Sequence, residues 1–283
     1  MRKLFTLMPL IFLLVLAAWS LPAFAQNLPP SQYKDDSVYK KLDGLAPQGF
    51  AVVSDEVEDL LARQNNQKTN AAILEWLRDN TLYHHILKKD QQTFDTLYFA
   101  MYSDLLYKLA RSYRAANHEK EYMALSKSAL MPLYVFNALA VMDAKRCKDK
   151  SVMGPVMQMM RFRYDALKDV ITSMKQEEVA EIYWRIAHKV EDQLKDRPPN
   201  KAICSSGMAK TVDLLNQSGV EKRVIEDPSY IGGKKTELIA PEGYEYQPKY
   251  IDKKEWASLR NETHASQRLG WEKHYDHLKN PKK

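Results

Sequence analysis

The sequence predicts a mainly α fold, a helical bundle or a stack of helical hairpins with irregular N- and C-terminal arms. Three observations carry this expectation. From Phe94 to Leu215 apolar residues recur every three or four positions with little interruption, the spacing that lines one face of a helix. Strand signals are short and few, Val52-Val53 and Glu237-Leu238-Ile239 being the best. Both cysteines, Cys147 and Cys204, fall inside the helical stretch, so a covalent tie would sit within it.

Residues 1–25 read as a secretory signal peptide. Arg2 and Lys3 supply the positive start, Leu4 to Leu21 the apolar run, and Ala23-Phe24-Ala25 the small-residue cleavage site before Gln26. Its removal leaves 258 of 283 residues and lowers the net charge from +6 to +4, since Arg2 and Lys3 are its only charges. Residues 26–53 are polar and punctuated by Pro29, Pro30, Gly44 and Pro47; they read as an extended leader. Residues 54–216 then form the helical domain, and 217–283 a C-terminal arm, partly irregular, with one late helix.

Within the domain, Ser54-Asp55 offers a helix N-cap, with Val57, Leu60 and Leu61 as an apolar face. Thr69 offers a second cap, before Ile73, Trp76 and Leu77. Phe94 to Ala115 keeps one stripe through Tyr98, Met101, Leu105, Leu109 and Tyr113, and 116–118 read as a turn. A helix begins near Glu119. Its run Ala129–Met142 has Asn137 as the only strongly polar residue; 14 residues fall short of the ~20 a bilayer span needs, so a buried core helix is expected. Pro132 lacks an N–H to donate and predicts a kink or break. Gly154-Pro155 starts the next helix, with Val156, Met160, Leu167, Ile171 and Met174 facing inward. Glu177 to Lys195 is another, its first-turn acids suited to the helix dipole. One last helix carries Cys204, Met208, Val212 and Leu215 and stops at Ser218-Gly219. The arm's late helix runs through Trp256 towards Leu278.

Leu109-Ala110, Tyr113 and Ala129 stand where a tetratricopeptide repeat places its Leu-Gly/Ala, Tyr and second-helix Ala. The stretch Leu105–Ala129 thus resembles one such hairpin, which implies stacked helix pairs. It departs from the pattern at Tyr122 and Ser126, and no second copy follows at the period of about 34 residues.

The chemistry is sparse. Two cysteines in an exported chain point to a structural disulfide; closing a loop of about 56 residues would contribute ~4 kcal/mol in the chain-entropy picture. Lys145, Arg146 and Lys148 around Cys147, and a helix start near Cys204, favour the thiolates that oxidise. There is no C-x-x-C, no G-x-S-x-G, no P-loop and no dinucleotide fingerprint. His274 and His277 share a helix face without a third ligand, and Met153, Met157, Met159 and Met160 read as core packing rather than a copper site. No catalytic residue, metal or cofactor is assigned.

The aromatic residues of the arm, Tyr244, Tyr246, Tyr250, Trp256 and Trp271, are the candidate partner contacts, because Tyr and Trp dominate interface hot spots. The expected function is an exported, bacterial-periplasmic binding or scaffold protein, an accessory component of an envelope assembly with a protein partner. A hydrolase of cell-wall polymer or another envelope substrate, and a carrier of a lipid or other apolar ligand, are the alternatives. The mild charge excludes nucleic acid as the main partner and allows weak contact with anionic surfaces. No membrane span follows the signal segment. Mass spectrometry of protein from its native envelope should find Gln26 as the first residue; an intact Met1 with membrane partitioning contradicts the leader assignment.

Overall fold

The computed structural model describes residues 32–64, 66–83, 95–182, 187–226 and 233–279. Residues 1–25, read from the sequence as a signal peptide, lie outside them. The fold is mainly α, as the periodicity predicts. Among the described residues it contains eleven α-helices and one two-stranded antiparallel sheet. The chain divides into two compact units. Unit 1 comprises 1–139, 162–198 and 270–283; unit 2 comprises 140–161 and 199–269.

Unit 1 begins earlier than the sequence suggests. Within the stretch read as an extended leader, α1 spans Ser37–Leu45. The Asp36 side chain accepts from the Val38 N–H at 2.9 Å and so caps it. Val38, Tyr39 and Leu42 are buried; their i, i+1, i+4 spacing is a helix face, hidden in the sequence by the Gly and Pro that follow. Gly49 adopts φ +100°, a left-handed conformation that suits glycine, and α2 starts directly after it, Phe50–Arg63. Ser54-Asp55 is therefore interior to α2 rather than its cap, and Val52-Val53 is helix, not strand. Asn66, not Thr69, caps α3 (Gln67–Arg78), its side chain accepting from the Thr69 N–H at 3.0 Å. These helices and α4 (Leu97–Ala115) enclose a core of Leu42, Val53, Val57, Ile73, Trp76, Leu77 and Tyr98. Tyr98 meets Trp76 edge-on, ring centroids 5.3 Å apart.

The predicted turn at 116–118 is present. Asn117 has φ 62°, one of the few non-glycine types that tolerate it, and His118 N–H reaches back to the Tyr113 carbonyl at 2.9 Å. Then α5 runs from Glu119 to Arg146 without a break at Pro132. Packing on all sides offsets the lost hydrogen bond there: Leu130, Leu133, Tyr134, Val135 and Phe136 are fully buried. Among the described residues α5 is long and apolar enough to cross a membrane, and 83% of its apolar window is buried inside the protein. Helix α6 (Met153–Ser173) starts where Gly154-Pro155 predicts; its Tyr164 hydroxyl accepts from Asn137 at 2.6 Å, which satisfies the one polar residue of the α5 run. Two short helices follow, α7 (Gln176–Ala180) and α8 (His188–Gln193).

Unit 2 corrects the expected last helix. It is two helices, α9 (Lys201–Cys204), with Cys204 at its end rather than its start, and α10 (Met208–Leu215). Asn200 caps α9 by accepting from Ile203 N–H at 3.0 Å. The break is made by Gly207, buried against Asp149, Ser151 and Val152. Asp149 and Ser151 then cap α10 from far along the chain: Ala209 N–H donates to Asp149 Oδ2 at 2.8 Å and Met208 N–H to Ser151 Oγ at 2.7 Å. The arm adds a hairpin, β1 (Glu221–Glu226) against β2 (Lys234–Ile239), in register from Glu221↔Ile239 to Glu226↔Lys234. Of the two strands the sequence indicates only the end of β2, because EKRVIE alternates poorly. The late helix α11 spans Trp256–Lys279.

A Cβ on residue 207 would lie 2.3 Å from Asp149 Oδ2 and 2.7 Å from both Ser151 Oγ and Val152 Cγ1. Gly207→Ala should cost ~1–3 kcal/mol as overpacking. Gly154→Ala meets nothing within 4 Å and should stabilise by ~0.4–1 kcal/mol. Urea denaturation of the two variants checks the opposite signs.

Candidate functional site

Four of the five candidate aromatics stand on unit 2, half-buried, two of them, Tyr250 and Trp256, at one structural centre. That centre is the C-terminal end of α5. Cys147 and Cys204 form a disulfide, Cα–Cα 5.5 Å, across a sequence separation of 57, and both are buried. Beside it the arm pairs with the helix end as a short antiparallel bridge, Cys147 opposite Tyr250. Lys148 N–H donates to the Lys249 carbonyl and Ile251 N–H to the Arg146 carbonyl, each at 2.9 Å.

Arg146 is 1% exposed, the largest charged group so deeply buried. Trp256 covers it: the guanidinium carbon is 4.4 Å from the ring centroid, a cation–π contact. Lys253 Nζ is 5.7 Å from the same ring. The indole N–H donates to the Ile251 carbonyl at 3.2 Å and fixes the ring's orientation. Burial pushes the Tyr250 phenol up from its ordinary range, an effect opposed by Lys201 and helped by Asp143.

Tyr244 and Tyr246 gather near α10. The Tyr244 hydroxyl donates to Asp213 Oδ2 at 2.8 Å; desolvation and that carboxylate push its pKa up to about 12. Glu245 pairs with Lys201, which lowers its carboxyl pKa. Burial, with Asp149 and Asp213, raises the Tyr246 phenol. All three tyrosines of this segment thus stay neutral hydrogen-bonding groups at physiological pH. Trp271 lies in α11, and its side chain is outside the described residues. The arrangement orders the arm on unit 2. It brings Tyr250 and Trp256 to the disulfide and Tyr244 to α10, and it offers packing and hydrogen bonds rather than an activated nucleophile.

Sequence reasoning missed a buried ionic network in unit 1. Tyr39 OH donates to Asp79 Oδ2 at 2.9 Å; Arg78 Nε and Nη2 donate to Asp79 Oδ1 at 3.2 and 3.0 Å; Glu75 Oε2 lies 3.7 Å from Arg78 Nη2. Glu75, Arg78 and Asp79 are each under 10% exposed. Burial and the Asp79 carboxylate raise the Tyr39 phenol strongly. The network sits where α3 passes into a π-helical turn, Asp79–Tyr83. Glu75, Arg78 and Asp79 fall one turn apart beside an apolar stripe, a pattern that reads as surface charge until α1 is recognised as its cover.

The chain matches no family model, no curated protein and no solved structure. The tetratricopeptide-like pattern of Leu105–Ala129 falls on one helix pair, α4 with α5.

Cys204→Ser should lower unfolding stability by ~4 kcal/mol. Trp256→Ala should lower it as well, by ~2 kcal/mol or more through the uncovered cation. Non-reducing peptide mapping should find the Cys147–Cys204 peptide. Free thiols in oxidised protein, or a Cys204→Ser variant as stable as wild type to urea, would contradict this account.

Proposed function

We propose that the chain is an exported helical binding protein, an accessory or scaffold component of an envelope assembly, with its protein-partner surface on unit 2. One observation carries the reading. Met208, Val212 and Leu215, at i, i+4 and i+7 of α10, are exposed by 62%, 53% and 47%, while Leu214 turns into the fold. Thr211 and Asn216, exposed on the flanks of this strip, carry no charge. A rigid apolar strip of this kind on a charged surface marks a protein contact.

The aromatic segment extends the same surface, since Tyr244 binds Asp213 of α10. Its half-buried rings supply area at small entropic cost, the property that makes Tyr and Trp interface anchors. The buried disulfide suits an oxidising compartment, in keeping with export to the periplasm. The charges of the hairpin pair across its strands, Arg223 with Glu237 and Lys234 with Glu226, rather than forming a basic face for nucleic acid.

Affinity capture from native envelope extracts tests the surface. Wild type should retain a protein partner that Val212→Asp/Leu215→Asp retains at least about tenfold less well, a loss of ~1.4 kcal/mol or more, with both proteins equally helical. Equal capture by the two overturns the surface. Lipid without protein in the eluate moves the function to the carrier class.

A further inference from the structure

Unit 1 carries a second feature, unrelated to the partner surface. An open cleft of about 540 Å³ runs along α4, lined by Asp104, Tyr107, Lys108, Arg111 and Ser112. These positions are i, i+3, i+4, i+7 and i+8, one face of the helix.

Its charge is mainly positive, with Asp104 in the lining and Asp169 acting on Tyr107 as the acids. Asp104, the acid of the lining, is already neutralised: Arg163 of α6 grips both its oxygens, Nε to Oδ1 at 2.9 Å and Nη2 to Oδ2 at 2.6 Å. The Arg163 guanidinium is held in turn over the Phe136 ring, 5.4 Å from its centroid. Among the described residues neither Lys108 nor Arg111 has a carboxylate partner, and both are exposed. Arg114, one turn on, stacks on Tyr122 at 4.8 Å and donates to its hydroxyl at 3.3 Å. Two cations of different geometry, neither in an ion pair among the described residues, therefore face one cleft, with the Tyr107 hydroxyl between them and Asp169.

We propose that this cleft binds a small oxyanion-bearing ligand, a phosphate monoester or a carboxylate, through Arg111 and Lys108. Arg111 presents a planar fork that takes two oxygens of such a group, and Lys108 adds a point charge. Ser112, whose hydroxyl now donates to the Leu109 carbonyl at 2.7 Å, and the Tyr107 hydroxyl orient the rest of the ligand. Asp104 sets the limit of the site: with Arg163 clamped on it, it does not repel the anion, and without that clamp it would. The same group arrives either on a soluble molecule or on a lipid headgroup.

The test uses the mature full chain, titrated with glycerol 3-phosphate, with glucuronate and with phosphatidic acid vesicles. At least one probe should bind saturably and more weakly as salt rises. Lys108→Ala/Arg111→Ala should weaken binding at least about tenfold, the scale of one charge-assisted hydrogen bond. Asp104→Asn, which removes the cleft's carboxylate and releases Arg163, should tighten it; a merely structural role for Asp104 would not. Vesicle binding alone, lost in the double variant, assigns the same cleft to the headgroup. Saturable binding of none of the probes, or a double variant equal to wild type with unchanged helicity, overturns the proposal.

Discussion

A buried guanidinium at the end of α5 is the constraint on which unit 2 depends. Removing a cation from water costs several kcal/mol in practice unless it is paired and hydrogen-bonded. Arg146 sits at the carbonyl end of a 28-residue helix, where the dipole favours positive charge. Its own carbonyl is occupied by the Ile251 N–H, its cationic face by Trp256, and Trp256 is tethered to the Ile251 carbonyl. The chain at 249–256 is therefore placed by Arg146. The disulfide one residue later fixes Cys204, and with it α9, to the same helix end. Lys150 completes the cap, its ammonium donating to the carbonyls of Lys145 and Cys147 at 3.1 and 3.0 Å.

Unit 1 meets the same cost differently. Two carboxylates share Arg78, and Tyr39 donates to Asp79. Such a cluster is weak as a source of net stability, but a missing member would leave a buried charge uncompensated. Tyr39 lies on α1 and Asp79 just past α3, so the hydrogen bond fixes the rotation of α1 on the rest of the unit. An apolar contact at that place would tolerate several rotations; a bond to one carboxylate oxygen tolerates one.

Much of this was legible in the sequence. The long periodic runs specified α4, α5 and α6, and Asn117 and Gly154-Pro155 marked where they turn and start. The pairing of the cysteines follows from their count and from the expectation of export. The misses have physical causes. Ser54-Asp55 and Thr69 are good capping residues by type, but Gly49 and Asn66 lie where the chain turns, and position decides a cap. A proline such as Pro132 breaks helices in water, yet with its neighbours fully buried α5 continues through it. Asp149 and Ser151 cap a helix about sixty residues away, a relation no local pattern carries. The aromatics of the arm were found as residues; their anchor, Arg146, was read only as a neighbour that acidifies Cys147.

On helix α10 the exposed strip is set by tertiary contacts and not by local sequence alone. An eight-residue helix is marginal on its own in water, where ~12–15 residues are needed. It persists because Asp149 and Ser151 accept from its first turn, Leu214 is buried beneath it, and Tyr244 holds Asp213. Those contacts fix its rotation, and that rotation leaves Met208, Val212 and Leu215 in solvent. Turning the strip inward would release all of them. The cleft on α4 obeys other physics. Attraction of an oxyanion to Lys108 and Arg111 decays over a Debye length of about 8 Å at physiological salt, whereas burial of the α10 strip scales with apolar area and is nearly indifferent to salt. The two surfaces are therefore energetically separable. Binding at the proposed cleft would therefore weaken with salt, and binding at the proposed strip would not.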